Sequence, residues 1–490
     1  MYLKKFLLIF LISLAILTAI TGCGGDSTVT PPMVVTPTAT FIPTVTTTPA
    51  PTVLPSNVTE LTFSGGQTGG SVSNSNIVAV YNKSDSEYAY TVNTDIAVAS
   101  MPSTSDEPVY YRGGEKAERL YDRIRKDTER LYKQYGSPSL YKKNAIHSSD
   151  IIGEEQQFWV VDANNNDVLV NATLLAMGEN CYVYVDNNSI VNTTQAQQIV
   201  NEWDGRSFPS VVSHFGDPPD VDGDNHIYIL LSPELNDGSE TSPGGTYGYF
   251  YSRDQYPKSV GNPYSNYKDI IYLNSAFLVS GTSNDVFEFL ATLPHEFQHM
   301  VHFNYKGSYD NITFNEGCSM IAEMYAGYGL PNGSEFAYNV VKNFEINTKN
   351  YSVTEWYSNR TGYGISFLFM CYINDHYGPD KIKQIVSGSS NTGMDNIETV
   401  LGVSFATLYK NWVIANQLDS TSGDAAFHYS SIDMAGTFGN KYYNGQSLPG
   451  IQSKSLSDAS LKPWGVNYMK PDGSGTFTVN GYDLGALLFK

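Results

Sequence analysis

The chain has 490 residues, 41% of them hydrophobic, enough to build more than one buried core. Its 29 Lys and Arg stand against 49 Asp and Glu, a formal charge of −20 that repels nucleic acid and anionic lipid surfaces, and no basic stripe offsets it. The four cysteines include no C-x-x-C pair, which excludes a disulfide scaffold.

In chain order, Lys4 and Lys5 precede an apolar run that stops at "ITGC", so residues 1–22 read as a secretory signal. A small residue before Cys23 resembles the bacterial lipobox, which implies cleavage there and diacylglycerol on the Cys23 sulfur. An uncleaved anchor or an ordinary signal is the plainer alternative. Residues 23–57 are rich in Thr and Pro and read as a lipidated cysteine with an extended tether, on the order of 100 Å long at about 3.1 Å per residue. No later stretch is apolar and long enough to span a bilayer, so membrane contact is expected through the lipid alone. The expected location is an exported protein, lipid-anchored at a bacterial membrane or cell surface.

Residues 58–112, with alternating runs such as "NIVAVYN" and "YAYTVNT", predict a small β-sandwich-like module. Residues 113–154 hold a connecting helix and linker; Leu120, Ile124, Leu131 and Tyr135 share one helical stripe. From 155 the runs "QFWVVD", "NCYVYVD", "HIYILL" and "DIIYLNS" have strand length, with a helical segment at 193–204 between the second and third. After 284 the pattern is mainly helical. Strands followed by helices make 155–430 an α+β domain with a mixed sheet lobe and a helical lobe. Residues 431–490 return to short strands. There is no internal repeat, and a monomer is expected.

The segment "LPHEFQHMVHF" (293–303) carries the chemistry. Residues four apart on a helix share a face, so His295 and His299 can turn a ring nitrogen toward one ion, with Glu296 beside it. This is the H-E-x-x-H arrangement, which suits zinc. A catalytic zinc takes a third protein ligand and keeps one position open. The stretch "FNEGCSMIAE" offers Glu316, and Glu323 lies on the same side of that helix seven residues on. His302 continues the histidine stripe but lies two turns from His295, about 10 Å along the axis and too far to share the ion. It reads as packing or as a partner behind the ligands, and Asp310 as a weaker candidate carboxylate.

With "DVDGDNHIYILL" upstream, these segments resemble the hyicolysin-type bacterial metallopeptidases, a gluzincin group, over about 155–425. The resemblance implies a thermolysin-like zincin domain flanked by small β modules and one catalytic zinc. It makes His295, His299 and Glu316 the ligands, and Glu296 the general base. Glu323 would orient a ligating histidine. The implied reaction is attack of activated water on a peptide carbonyl of a peptide or protein substrate. By the same resemblance Tyr363, before the apolar helix "ISFLFMCYINDHYG", would stabilise the tetrahedral intermediate, with His214 and Tyr357 as competitors. The absence of "GAMEN" favours an endopeptidase over an aminopeptidase.

Alternating aromatics in "GGTYGYFYSRD" make Tyr247, Tyr249 and Phe250 candidate substrate-binding residues on an edge strand. Asp220, Asp222 and Asp224 alternate as in a calcium loop, although Leu231 stands where an EF-hand needs glutamate; the other reading is an Asp/Gly turn before a strand. The rival functions are a surface adhesion protein with an inactive peptidase-like domain, and a zinc hydrolase of a non-peptide amide or ester.

Overall fold

A computed structural model describes residues 53–96, 114–142, 150–239, 242–308, 310–356, 362–419, 427–438 and 446–490. The signal segment, Cys23, most of the tether and Tyr357 lie outside the described residues.

Strands β1 (Val58–Leu61), β2 (Gln67–Val72), β3 (Ile77–Asn82) and β4 (Tyr88–Thr94) come first, followed by helix α1 (Gly114–Tyr135). A six-stranded sheet uses β5 (Glu155–Val161), β6 (Asp167–Met177), β7 (Cys181–Asp186), β8 (Ile227–Ser232), β9 (Gly248–Phe250) and β10 (Ile270–Asn274) in the order β5-β6-β7-β8-β10-β9. β8 lies parallel to both β7 and β10, while β9 runs antiparallel to β10 at the sheet edge. The parallel step from β7 to β8 needs a crossover, supplied by α2 (Thr193–Glu202), one π-helical turn and α3 (Phe208–Phe215). α2 starts at a capping box in which Asn192 and Gln195 satisfy each other's backbone N–H.

Both faces of this sheet are covered, and strand alternation sorts the side chains. Cys181, Val183, Val185, Ile229, Leu231, Ile271 and Leu273 face the core shared with the later helices. Tyr182, Tyr184, Tyr228, Leu230 and Tyr272 face the other way, where Leu120, Tyr121 and Ile124 of α1 pack. Leu120 and Ile124 of the α1 stripe therefore cover the sheet, while Leu131 and Tyr135 join the core shared with the later helices.

The later helices are α4 (Ser275–Ser280), α5 (Ser283–Lys306), α6 (Ile312–Tyr325), α7 (Glu335–Ile346), α8 (Gly362–Tyr377), α9 (Pro379–Val386), α10 (Gly393–Leu401) and α11 (Phe405–Leu418). Among the described residues no helix is long and apolar enough to cross a membrane. Sheet and helices together make a mixed α+β protein.

The chain closes with β11 (Thr437–Phe438), β12 (Gln446–Ser447), β13 (Lys454–Ser455), β14 (Ala459–Leu461), β15 (Val466–Lys470), β16 (Gly475–Asn480) and β17 (Leu484–Phe489). The sequence separates the segments 58–112 and 431–490, but their strands interleave in sheets ordered β1-β17-β3-β15-β13 and β14-β4-β16-β2. Val78, Val80 and Leu488 from one sheet meet Tyr90, Phe477 and Val479 from the other in one core. The outer face of the first sheet joins the helical core through Tyr81 and Tyr468, whose hydroxyl donates to the Val413 carbonyl of α11 (2.8 Å).

Candidate metal centre

Helix α5 begins at a capping box, Thr282 with Asp285, which fixes its first turn. Pro294 stands inside it and removes one helical hydrogen bond just before His295, yet the helix runs on to Lys306. Phe289, Leu293, Phe297 and Met300 bury one face and leave His295, Glu296 and His299 on the side toward α6 and β9. α6 is capped by Asn311, whose side chain accepts from the Thr313 N–H. Next to Glu316, Gly317 lies so close to α8 that a Cβ would stand 2.5 Å from both the Ser366 carbonyl oxygen and Met370 Cγ. Glycine here lets α6 sink against α8 and sets the depth of Glu316.

These constraints bring three side chains together. Glu316 Oε2 lies 3.5 Å from His295 Nε2 and 3.5 Å from His299 Nε2. One donor atom from each of the three residues falls within 4.8 Å of the others. Glu316 Oε2 is buried with no hydrogen-bond partner among the described residues, and such an orphan costs free energy unless something meets it. Two imidazole nitrogens and one carboxylate oxygen, pointing inward, suit a divalent cation of the zinc type.

The polar groups behind these donors fix their orientation. Glu323 Oε1 is 2.7 Å from His295 Nδ1, so an Nδ1–H donates to it and Nε2 faces Glu316. His299 Nδ1 lies 3.1 Å from Asn315 Oδ1 and 3.1 Å from Ser319 Oγ, and that hydroxyl donates to Gln298 Oε1 at 2.5 Å. Asn315 is the residue before Glu316 in N-E-G; the sequence displays it, but nothing in its spacing marks it as a partner of His299. His302 and Asp310 stand outside the convergent group and pair with each other at 2.7 Å. Asp310 Oδ1 also accepts the Asn311 and Gly393 N–H groups, which ties the loop before α6 to α10.

Glu296 is buried beside the two imidazoles, and its Oε2 accepts the Phe250 backbone N–H at 2.7 Å. Burial raises its carboxyl pKa, an effect that His299 and His295 temper. Burial works against charge on Glu316 too, but the two histidines outweigh it and hold that carboxyl well below the usual range. For His295 burial opposes the charge, and Glu316 and Glu323 overcome it and carry the imidazole pKa well above its ordinary value.

A cavity of about 270 Å³ opens beside His295 and Glu296. Tyr363 lines it, 9% exposed and packed edge-on against Phe336 and Trp356. His214 does not line it; its ring stacks on Tyr325 and its Nδ1 sits 2.7 Å from the Ser210 carbonyl. The three aromatics of the edge strand divide. Tyr247 lines the cavity, and Phe250 contributes its backbone N–H. Tyr249 is corrected: alternation turns its side chain to the opposite face, where it is fully buried, stacks on Tyr272 and accepts the Val161 N–H.

The acidic loop is arranged differently from its sequence spacing. The carboxylates that approach within 4.8 Å are Asp220, Asp222 and Asp269, the last from just before β10. Asp224 instead accepts the Tyr228 hydroxyl (3.0 Å) and the His226 N–H (2.8 Å). Lys142 pairs with Asp220 at 2.7 Å.

No protein-family model matches the chain. The chain is 31% identical over 267 residues to the neutral metalloprotease ShpI of Staphylococcus hyicus. That match takes in 51% of this chain and 58% of the relative, so it spans little more than half of either protein. Together with the converging His295, His299 and Glu316, the similarity supports a metallopeptidase relationship.

Proposed function

We propose that the chain is a zinc-dependent metalloendopeptidase of the thermolysin-like, gluzincin type. The observation that carries this reading is the meeting of His295 Nε2, His299 Nε2 and Glu316 Oε2, with Glu296 beside them at the cavity. A metalloprotease relative supports it, as does the pairing of a mixed sheet with a set of helices. A zinc ion held by these three residues would supply Lewis acidity and lower the pKa of water toward about 7. Glu296, tethered through Oε2 to the Phe250 N–H, keeps Oε1 for taking a proton from the attacking water and returning it to the leaving amine. Glu323 holds His295 in the tautomer that presents Nε2. Tyr363 is assigned the stabilisation of the developing oxyanion on the strength of its place in the cavity wall. Lipid anchoring at a bacterial membrane or cell surface through Cys23 rests on the sequence of the first residues.

The test joins elemental analysis with digestion of casein and a peptide library, with and without chelator. Zinc at one equivalent and chelator-sensitive cleavage are expected. Glu296→Gln should keep the metal and lose roughly 10²–10⁴-fold in kcat. Zinc retained with undiminished cleavage would overturn the assigned base. Intact peptides alongside hydrolysis of a small ester or amide would overturn the peptidase reading.

A further inference from the structure

The cavity beside His295 and Glu296 is rich in carboxylates. Among the described residues, four glutamates line it, Glu288, Glu296, Glu323 and Glu335, and no lysine or arginine does. Glu296 and Glu323 are committed, one to the Phe250 N–H and one to His295. The other two lie farther along the wall, where the first turns of α5 meet the start of α7.

Glu288 sits two turns before His295, about 10 Å along the helix. It accepts the Glu335 N–H (2.6 Å), the Phe336 N–H (3.3 Å) and the Ser334 hydroxyl (3.0 Å). Glu335 Oε2 accepts from Asn284 Nδ2 at 2.7 Å, which leaves Oε1 outside that bond. Asn284 Oδ1 is buried and has no hydrogen-bond partner among the described residues. This end of the cavity therefore offers hydrogen-bond acceptors and negative charge. Tyr247, Phe336 and Tyr363 add aromatic surface for a methylene stem. Burial, followed by the nearby Glu323, pushes the Glu288 carboxyl up to about 8. A cation arriving beside Glu288 would favour its ionised form.

Resting on the peptidase reading, we propose that this cavity is a substrate subsite for a cationic nitrogen, the ammonium or guanidinium of a substrate residue next to the scissile bond, held by Glu335, Glu288 and the Asn284 amide oxygen. The same chemistry would accept a lysine or arginine side chain or a free peptide amino terminus, and two peptide series tell them apart.

Quenched fluorescent peptides carry Lys, Arg, Leu or Glu in turn on each side of one cleavable bond, in acetylated and free-amine forms. The acetylated Lys and Arg peptides should exceed the Leu peptide in kcat/KM by about tenfold or more, in line with a charge-assisted hydrogen bond, and the Glu peptide should be slowest. Glu335→Gln should bring the Lys-to-Leu ratio near one. A preference confined to the free-amine series assigns the cation to the peptide terminus. Equal or better cleavage of the Leu peptide in both series, or a Lys-to-Leu ratio that survives Glu335→Gln, overturns the proposal. A second measurement does not depend on turnover: lysinamide should raise the melting temperature of the holoprotein more than leucinamide, and Glu335→Gln should abolish the difference. If no peptide in a mixed library is cleaved, the peptidase reading fails, and the amide-binding comparison alone decides the cationic site.

Discussion

Replacing Glu323 separates a carboxylate that tunes a metal site from one that holds the fold. Glu323 Oε1 lies 2.7 Å from His295 Nδ1, and both side chains are largely buried. Loss of a carboxylate behind a ligating histidine costs about 10–100-fold in metal affinity, or about 1.4–2.8 kcal/mol. Glu323→Gln keeps an oxygen that can accept the Nδ1–H, so it should fall near the tenfold end; Glu323→Ala should fall near the hundredfold end. Stability of the metal-free protein should move the other way. Burial raises the Glu323 carboxyl pKa even though His295 pulls it down, and Glu296 and Glu316 add repulsion. A folded-state pKa above the unfolded one means that ionisation at neutral pH costs stability, and a neutral glutamine removes that cost. The assays are a zinc titration against a chelating dye and thermal melts in chelator. Weaker zinc binding with an unchanged or higher metal-free melting temperature is expected. Zinc affinity within about twofold of wild type in both folded variants would refute the orienting role, because second-sphere loss should cost at least tenfold.

Two further outcomes follow from buried features outside the centre. Glu345 is fully buried, and burial, with repulsion from Asp419, pushes its carboxyl up to about 9. Its folded pKa is raised, so its contribution is intact below about pH 4.5 and is lost as pH climbs toward 9, costing about 3 kcal/mol at pH 7. Glu345→Gln should therefore melt higher than wild type at pH 8 and match it near pH 4.5, and equal melting at both pH values would refute this. Deleting residues 53–94 removes β3 from between β15 and β17 and takes Val72, Val78, Val80 and Tyr90 from their core. Each large side chain lost from a core costs roughly 2–5 kcal/mol, more in sum than a domain's stability of about 5–15 kcal/mol. The truncated chain should be insoluble or fail to melt cooperatively; a soluble product with a sharp transition would show that these strands are dispensable.

The parts of the site that were legible in the sequence are those governed by helical period. The four-residue step places His295 and His299 together, and the seven-residue step from Glu316 brings Glu323 to His295. The α1 stripe was readable for the same reason, although the sequence does not say which face of which sheet it covers. Strand pairing was less legible because its partners lie far apart in the chain. Ile77 pairs with Phe489, and no local pattern links them. Asp269 joins Asp220 and Asp222 from outside their loop, while Asp224, their neighbour in sequence, is engaged by Tyr228 and His226. Backbone roles leave no trace in residue identity at all. The amide that holds Glu296 belongs to Phe250, and any residue but proline could supply it.

That amide bears on how a peptide could lie along β9. In the antiparallel pair, Tyr249 stands opposite Tyr272, while Gly248 and Phe250 flank it. The Phe250 N–H is given to Glu296, and the Gly248 carbonyl accepts from Thr246 Oγ1 (2.8 Å) and from the Tyr121 hydroxyl (3.1 Å). The strand edge is thus already engaged at two points, by the assigned base and by helix α1. A peptide pairing at Gly248 would have to share or displace the Tyr121 hydroxyl, which would set α1 at the border of such a peptide. The Gly248 position leaves little slack for adjustment, because a Cβ there would stand 2.6 Å from the Tyr272 carbonyl oxygen and 2.9 Å from Thr292 Cγ2 of α5. Strand and helix are held at a fixed separation, and that separation keeps the Phe250 amide within reach of Glu296.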